Sequence, residues 1–201
     1  MPPARGDHEA RRRDVSEAVW RVLAARGFAG LTLRAVAAEM GATTGLLTHY
    51  FPSKQALVAH ALEVLDEHSV ARPRPAADSA APAGGLAMVR ALLLDVLPLT
   101  ERDATDNRIW VGSWDAALAA PGLAAEHAER YRRSRRRLLD HVTEAQRAGE
   151  LPGGRAAEDV AVEAQCFVLG LVVQALFTPE EFPPERQVAL VDGFLAGLRA
   201  A

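Results

Sequence analysis

The side chains best suited to chemistry lie in one short segment, residues 43–51, which is bounded by Gly41 and Pro52. It carries hydroxyls, an imidazole and a phenol but no acidic group, in the residues Thr43, Thr44, Thr48, His49 and Tyr50. Such groups donate and accept hydrogen bonds, and in the absence of carboxylates they suit phosphate oxygens and the edges of bases. The segment therefore predicts nucleic-acid contact.

Residues for catalysis or metal binding do not form a recognisable pattern. The chain has one cysteine and six histidines, too few thiols for a Cys/His metal site, and no histidine has a glutamate three positions before it. Gly-x-Ser-x-Gly and a phosphate-cradling glycine loop do not occur either. We predict no catalytic residue, no metal and no cofactor. A helical enzyme and a helical module that binds a protein instead of DNA remain the alternatives.

The composition predicts an all-α protein. Of 201 residues, 49% are hydrophobic and only 5% aromatic, and alanine, leucine, arginine and glutamate dominate, as in packed helices. Cys166 lies in an apolar run, which predicts a core residue in a reducing compartment. Residues 1–10 lack an apolar segment, and the uncharged stretch 164–179 is shorter than the ~20 residues that span a bilayer. We therefore expect a cytoplasmic location without membrane contact.

The charge is unevenly distributed along the chain. The net charge is −3, yet residues 1–34 hold seven arginines against four acidic residues, which gives +3. Residues 1–72 have a net charge of +1 and the remainder −4. This asymmetry suits an N-terminal surface that contacts phosphates.

Four helices are predicted in the N-terminal part. Apolar residues recur at helical spacing from Glu9 to Gly27, from a Thr32 cap to Gly41, from Thr43 or Thr44 to Pro52, and from a Ser53 cap to about Ser69. The third is short, and only Leu47 and Phe51 can be buried in it. Two short helices joined by a tight turn and supported by a first one predict a helix-turn-helix.

Gly45 is unusual in this third helix. A glycine in an exposed helix costs about 1 kcal/mol relative to alanine. Its presence therefore indicates that backbone approaches another body closely, either DNA or a neighbouring helix.

Five further helices are predicted after a loop over residues 72–85. They cover residues 86–99, 105–119, 123–148, 156–177 and 185–200, which makes about nine helices in all. The basic run 130–137 is interpreted as the solvated face of a long helix. Five helices can enclose a ligand cavity.

The stretch from Gly27-Phe28 through Thr32-Leu33-Arg34 and Gly45-Leu46-Leu47-Thr48-His49-Tyr50-Phe51 to Lys54 resembles the DNA-binding domain of the TetR family of transcriptional regulators, and is most similar to the choline/betaine-type repressors. The resemblance implies a DNA-binding domain over 1–52, a connecting helix over 53–72 and a ligand-binding and dimerisation domain over 73–201. It implies DNA contacts from Thr32, Arg34, Thr43, Thr44, Gly45, Thr48, His49, Tyr50 and Lys54. Thr32 could instead be only a helix cap, and Tyr50 only a packing residue.

The resemblance also places a small-molecule effector site in the C-terminal domain. The candidate lining residues are Met88, Trp110, Ser113, Trp114, Asp115, Phe167, Leu171 and Gln174. The two tryptophans lie one turn apart and could equally be core residues. Together with Asp115 they could form an aromatic cage for a quaternary ammonium compound.

A homodimer through the last two helices is predicted, because these helices are too apolar for one chain to cover. The expected interface residues are Val168, Val172, Ala175, Leu190, Phe194 and Leu198. A dimer would place two reading helices ~34–36 Å apart, one turn of a palindromic duplex operator. Effector binding would shift the connecting helix and release the DNA, which is the mode of a repressor.

Overall fold

A computed structural model describes residues 5–71, 74–80 and 83–200, and this part of the chain is built from helices and turns, which confirms the all-α prediction. The helices are α1 (Arg5–Arg26), α2 (Leu33–Glu39), α3 (Thr44–Tyr50), α4 (Lys54–Ala71), α5 (Pro75–Ala80), α6 (Gly85–Leu94), α7 (Glu101–Gly112), α8 (Trp114–Leu118), α9 (Pro121–Arg147), α10 (Ala157–Phe177) and α11 (Pro184–Ala200).

Local signals fix the boundaries of α2, α3 and α4. The Thr32 Oγ1 accepts the Ala35 N–H at 3.0 Å, and the Ser53 Oγ accepts the Ala56 N–H at 3.1 Å, so both predicted caps are confirmed. Gly41 has a φ of +63° between α2 and α3, a left-handed conformation that favours glycine. This turn allows α3 to begin three residues later.

Two helices differ from the prediction, so eleven are described rather than about nine. In the predicted loop 72–85, residues 75–80 form α5, because a proline at the first helical position lacks only an N–H that the helix does not use. Residues 72, 73, 81 and 82 lie outside the described residues. The predicted helix 105–119 is two helices that meet at Ser113, whose hydroxyl donates to the Trp110 carbonyl at 2.6 Å.

The chain divides into two compact units, Met1–Arg72 with Arg108–Leu123, and Pro73–Asn107 with Ala124–Ala201. In the first unit, α1 packs against α2 and α4, and α2 packs against α3. Its core contains Val19, Leu23, Val36, Leu47, Leu57 and Leu62, and also Ile109 and Ala117 from the later segment. The predicted boundaries at residues 52 and 72 did not include this later segment.

In the second unit, α6, α10 and α11 pack against one another. Arg90 of α6 forms a two-pronged ion pair with Asp192 of α11, with Nε–Oδ1 at 2.5 Å and an Nη–Oδ2 distance of 2.9 Å. This pair raises the pKa of Arg90 and lowers that of Asp192 through the shared hydrogen bond. It therefore fixes α11 against α6.

Helix α10 combines length with an apolar composition. Among the described residues it is the helix that is long and apolar enough to cross a membrane by length and composition, and 44% of its most apolar window is buried. Core helices of soluble proteins meet the same criteria. The prediction that Cys166 is a core residue is wrong: its side chain is exposed, because the buried stripe of α10 runs through Ala164, Val168 and Leu171.

Candidate nucleic-acid interface and effector site

Helix α3 presents its polar residues to solvent. Thr43, Thr44, Gly45, Thr48 and His49 are exposed, and Tyr50 is half-buried. Behind them Leu47 is 0% exposed and Phe51 7%, as the spacing predicted. A short helix with two apolar anchors and a polar outer face can enter a groove without losing its own packing.

The individual side chains of α3 are only partly engaged within the chain. The Thr48 hydroxyl donates to the Gly45 carbonyl at 2.9 Å, and its oxygen keeps lone pairs on the exposed surface. The His49 and Tyr50 rings meet edge to face, with centroids 5.9 Å apart. Tyr50 also packs against the core of the first unit, so the packing role considered for it is present.

Gly45 faces open space. A Cβ built there would meet only the Thr43 Oγ1, at 4.0 Å. The alternative that a neighbouring helix of this unit approaches the Gly45 backbone is therefore not supported. The close approach of DNA to this glycine stays a prediction.

Two further predicted residues lie near helix N-termini. Arg34 and Lys54 are exposed in the first turns of α2 and α4, where the helix dipole favours anions. Glu39 of α2 is neutralised by Arg21 of α1, with Nε and Oε1 2.7 Å apart. Thr32 uses its Oγ1 as a helix cap, so the capping role considered for it is present, and its DNA contact stays a prediction.

The eight predicted effector residues are divided between the two units. Trp110, Ser113, Trp114 and Asp115 belong to the first unit, and the other four to the second. Ser113 is fully buried, Trp110 packs against the core of its unit, and Asp115 is exposed. The shielded Nε1 of Trp114 has no hydrogen-bond partner among the described residues.

The four residues in the second unit also have different surroundings. Met88 and Leu171 are buried, whereas Gln174 is exposed. The Phe167 ring stacks on Phe194 of α11. The contact of these residues with an effector stays a prediction.

A polar group in the interior of the second unit was not predicted from the sequence. His127 on α9 is 6% exposed, and its ring lies 6.2 Å from that of Tyr131, one turn later. Gln165 of α10 is also buried and donates through Nε2 to the Tyr131 carbonyl at 3.0 Å. Burial, and then the charge of Arg130, lower the pKa of His127, so the neutral imidazole is favoured. The sequence signal that could have revealed this polar group is the presence of polar residues at apolar positions of two long helices.

Most of the predicted interface residues pack inside the single chain. Val168, Val172, Ala175 and Leu198 are 3%, 2%, 4% and 6% exposed, so they are buried within the single chain. Their burial leaves little surface for a second copy, and their assignment to a dimer interface stays a prediction. Leu190 is exposed and Phe194 half-buried. The exposed residues of the two helices include Cys166, Gly170, Gln174, Phe177, Leu190, Gly193 and Gly197.

Family models match two parts of the chain. Residues 16–61 match the bacterial regulatory proteins of the tetR family, and residues 85–200 match the BetI-type transcriptional repressor C-terminal domain. The second match covers more than half of the chain.

Similar proteins cover nearly the whole chain. The regulator BetI of Burkholderia thailandensis is 32% identical, over 96% of this chain and 95% of its own. The regulator PksA of Bacillus subtilis is 27% identical, over 92% and 87%. A putative regulator from Saccharomonospora viridis, solved in complex with choline, has a TM-score of 0.78 at 19% identity and covers 94% of this chain and 96% of its own.

The structural likeness supports the fold, and the sequence matches extend over both domains. An exposed α3 with two buried anchors lies within the matched N-terminal region. The chain therefore belongs to the TetR family of transcriptional regulators, with a BetI-type C-terminal domain.

Proposed function

We propose that the protein is a repressor that binds palindromic operator DNA as a homodimer and is released by a small molecule. The observation that supports it most directly is the exposed polar face of α3 in front of Leu47 and Phe51. The same proposal makes the chain a cytoplasmic protein without catalytic activity.

The DNA contacts are divided by chemistry. Base-edge contacts come from Thr44, Thr48 and His49, which are exposed and polar. Backbone phosphates are contacted by Thr43 and Tyr50 and by residues near the N-termini of α2 and α4, namely Thr32, Arg34 and Lys54. Gly45 allows the DNA backbone to approach α3 closely.

The decisive experiment is selection of duplexes from a random pool by the purified full chain, followed by affinity measurements at several salt concentrations. We expect an enriched palindrome whose half-sites are about 10 base pairs apart, and affinity that decreases steeply with salt. Enrichment of no sequence would contradict operator recognition. Salt-independent binding would contradict contact with phosphates.

The dimer interface is proposed on the outer face of α10 and α11. Phe177 is 78% exposed, and Leu190 is also among the exposed large apolar residues. Cys166, Gly170 and Gly193 complete this face, and small residues allow helices of two copies to approach closely. A four-helix interface between two copies would bury this surface.

The effector is proposed to bind in the C-terminal domain, with His127, Tyr131 and Gln165 as polar contacts. In the described part of the second unit the buried polar residues are neutral amides and an imidazole, and none is acidic. This set suits hydrogen bonding to a polar ligand. The putative regulator from Saccharomonospora viridis that was solved in complex with choline supports a quaternary ammonium ligand as a second possibility, with Trp110, Trp114 and Asp115 of the first unit as its cage.

Calorimetric titration separates these possibilities. Choline, betaine and tetramethylammonium are titrated into the full chain and into the variants His127→Ala and Trp114→Ala. Heat that is lost only in His127→Ala supports the polar group, and heat that is lost only in Trp114→Ala supports the cage. Absence of heat for all three compounds at millimolar concentration eliminates the quaternary ammonium ligand.

A further inference from the structure

His60 of α4 is the point where three helices of the first unit meet. Its Nε2 lies 3.1 Å from the Ser16 Oγ of α1, and its Nδ1 lies 3.3 Å from the Glu63 Oε2 one turn later on α4. Its ring is tilted against Phe51, with centroids 5.2 Å apart. The side chain is only 12% exposed.

The hydrogen bonds determine how the ring is held. A carboxylate can only accept, so the His60 Nδ1–H donates to Glu63. In the neutral imidazole, Nε2 is then the acceptor and the Ser16 hydroxyl donates to it. An Arg12 Nη of α1 lies 4.0 Å from the Glu63 Oε2, at the limit of an ion pair. The ring is thus oriented from both sides, and it cannot rotate without breaking at least one bond.

Phe51 is the structural link to DNA recognition. It follows the last residue of α3, its N–H donates to the Leu47 carbonyl at 2.8 Å, and its ring is one of the two apolar anchors of the helix. A change in the position of the His60 ring therefore acts on the end of the reading helix.

We propose that His60 is a positioning residue for DNA recognition, which fixes the orientation of α3 by holding the Phe51 ring from α4 and α1. It touches no DNA itself. The inference goes beyond the proposed function and rests on its DNA-binding part.

A second contact between α1 and α4 serves as a matched control. Trp20 of α1 stacks on His68 of α4, with centroids 3.8 Å apart and 4° between the planes. It joins the same two helices through an aromatic pair, but two turns further along α4 than His60. The variant Trp20→Phe therefore weakens the α1–α4 contact while the His60–Phe51 contact remains.

The test is the ratio of affinities for the selected operator and for a scrambled duplex of equal length. Partial unfolding lowers both affinities by the same factor, so the ratio reports on the orientation of α3 in the folded protein. We expect Ser16→Ala to lower the ratio about 2- to 10-fold, the range for one hydrogen bond, and His60→Ala to lower it about 10-fold or more. His60→Gln, which can still bond to Ser16, should return the affinity ratio to within about threefold of the value for the unsubstituted protein.

The outcomes separate positioning from general destabilisation. An unchanged ratio in both Ser16→Ala and His60→Ala overturns the proposal, as does an equal decrease in Trp20→Phe. If His60→Ala does not fold, Ser16→Ala carries the test, because it removes a single hydroxyl. Failure to obtain any selected operator would instead contradict the proposed function, and the two failures are thereby distinguishable.

Discussion

The rings of Phe167 and Phe194 stack face to face, with centroids 4.5 Å apart and 8° between their planes. They join α10 to α11 from within the same chain, so the two helices act as one layer. Stacked aromatic pairs contribute about 0.5–1.5 kcal/mol beyond the area they bury. The residues that remain for a partner are therefore those on the outer side of this layer.

The first prediction concerns that outer side. A Cβ added at Gly193 would meet no atom of the chain within 4 Å, so Gly193→Gln has no steric cost in the monomer. Glutamine is also the better helix former by up to about 1 kcal/mol. We expect an unchanged or raised Tm for the isolated chain but a dimer dissociation constant raised about 10-fold or more, because the added side chain separates the two copies. Analytical ultracentrifugation measures the dissociation constant.

Gly122→Gln is the control for this substitution. Gly122 lies in the first turn of α9, and a Cβ there also meets no atom within 4 Å. It should leave the dissociation constant unchanged. A dimer equally strong in Gly193→Gln would show that the interface lies elsewhere.

The second prediction separates phosphate contacts from base contacts. Lys54→Ala removes one exposed cation and should weaken binding to operator and to scrambled DNA equally, while the slope of log K against log salt decreases by about 0.9. Thr48→Ala should leave that slope unchanged and lower only operator affinity, by about 0.5–1.5 kcal/mol, the range for one hydrogen bond. Fluorescence anisotropy at several salt concentrations measures both. The reverse pattern would mean that the two residues have exchanged roles.

The parts of this structure that sequence could predict are those with local causes. The caps at Thr32 and Ser53, the turn at Gly41 and the buried pair of Leu47 and Phe51 all follow from neighbouring residues, and each is observed. The exposed face of α3 follows from the same spacing.

The parts that sequence missed depend on distant residues. Helix α10 is apolar on nearly every side, so its pattern could not show that Val168 and Val172 face the chain's own core while Cys166 faces outward. The inclusion of residues 108–123 in the N-terminal unit depends on packing between two segments that residues 73–107 separate in the sequence. The contact between His60 and Ser16 spans 44 residues and leaves no local signal.

The third prediction is a pH dependence of stability at the start of α6. Glu144 accepts the Gly85 N–H at 3.0 Å and Glu150 accepts the Leu86 N–H at 2.7 Å, so two carboxylates from outside α6 hold its first turn. The Gly85 bond, and then the bond to His141, lower the pKa of Glu144. A lowered pKa in the folded state means stability that is present above the ordinary glutamate pKa and is lost as pH falls through the folded value.

We therefore expect Glu144→Gln to lower Tm at about pH 7, and the difference from the unsubstituted protein to shrink as pH falls below about 4.3. Glu126→Gln is the control, because Glu126 on the same helix is exposed and makes no hydrogen bond or ion pair in the described part of the chain. A Tm difference for Glu144→Gln that is constant across this range would contradict a role for the charge.

The fourth prediction compares two adjacent residues of the first unit. The Trp114 Nε1 is shielded from solvent without a hydrogen-bond partner in the described chain, whereas the buried Ser113 hydroxyl donates to the Trp110 carbonyl. A buried donor without a partner is unfavourable by about 1–3 kcal/mol, so its removal offsets the loss of packing area.

Trp114→Phe should change the free energy of unfolding by less than about 1 kcal/mol. Ser113→Ala should lower it by about 0.5–1.5 kcal/mol, because a satisfied hydrogen bond is lost. Urea unfolding of both variants measures the two values. A larger loss for Trp114→Phe than for Ser113→Ala would show that the indole N–H has a partner in solution, and a bound water or ligand would then be sought beside it.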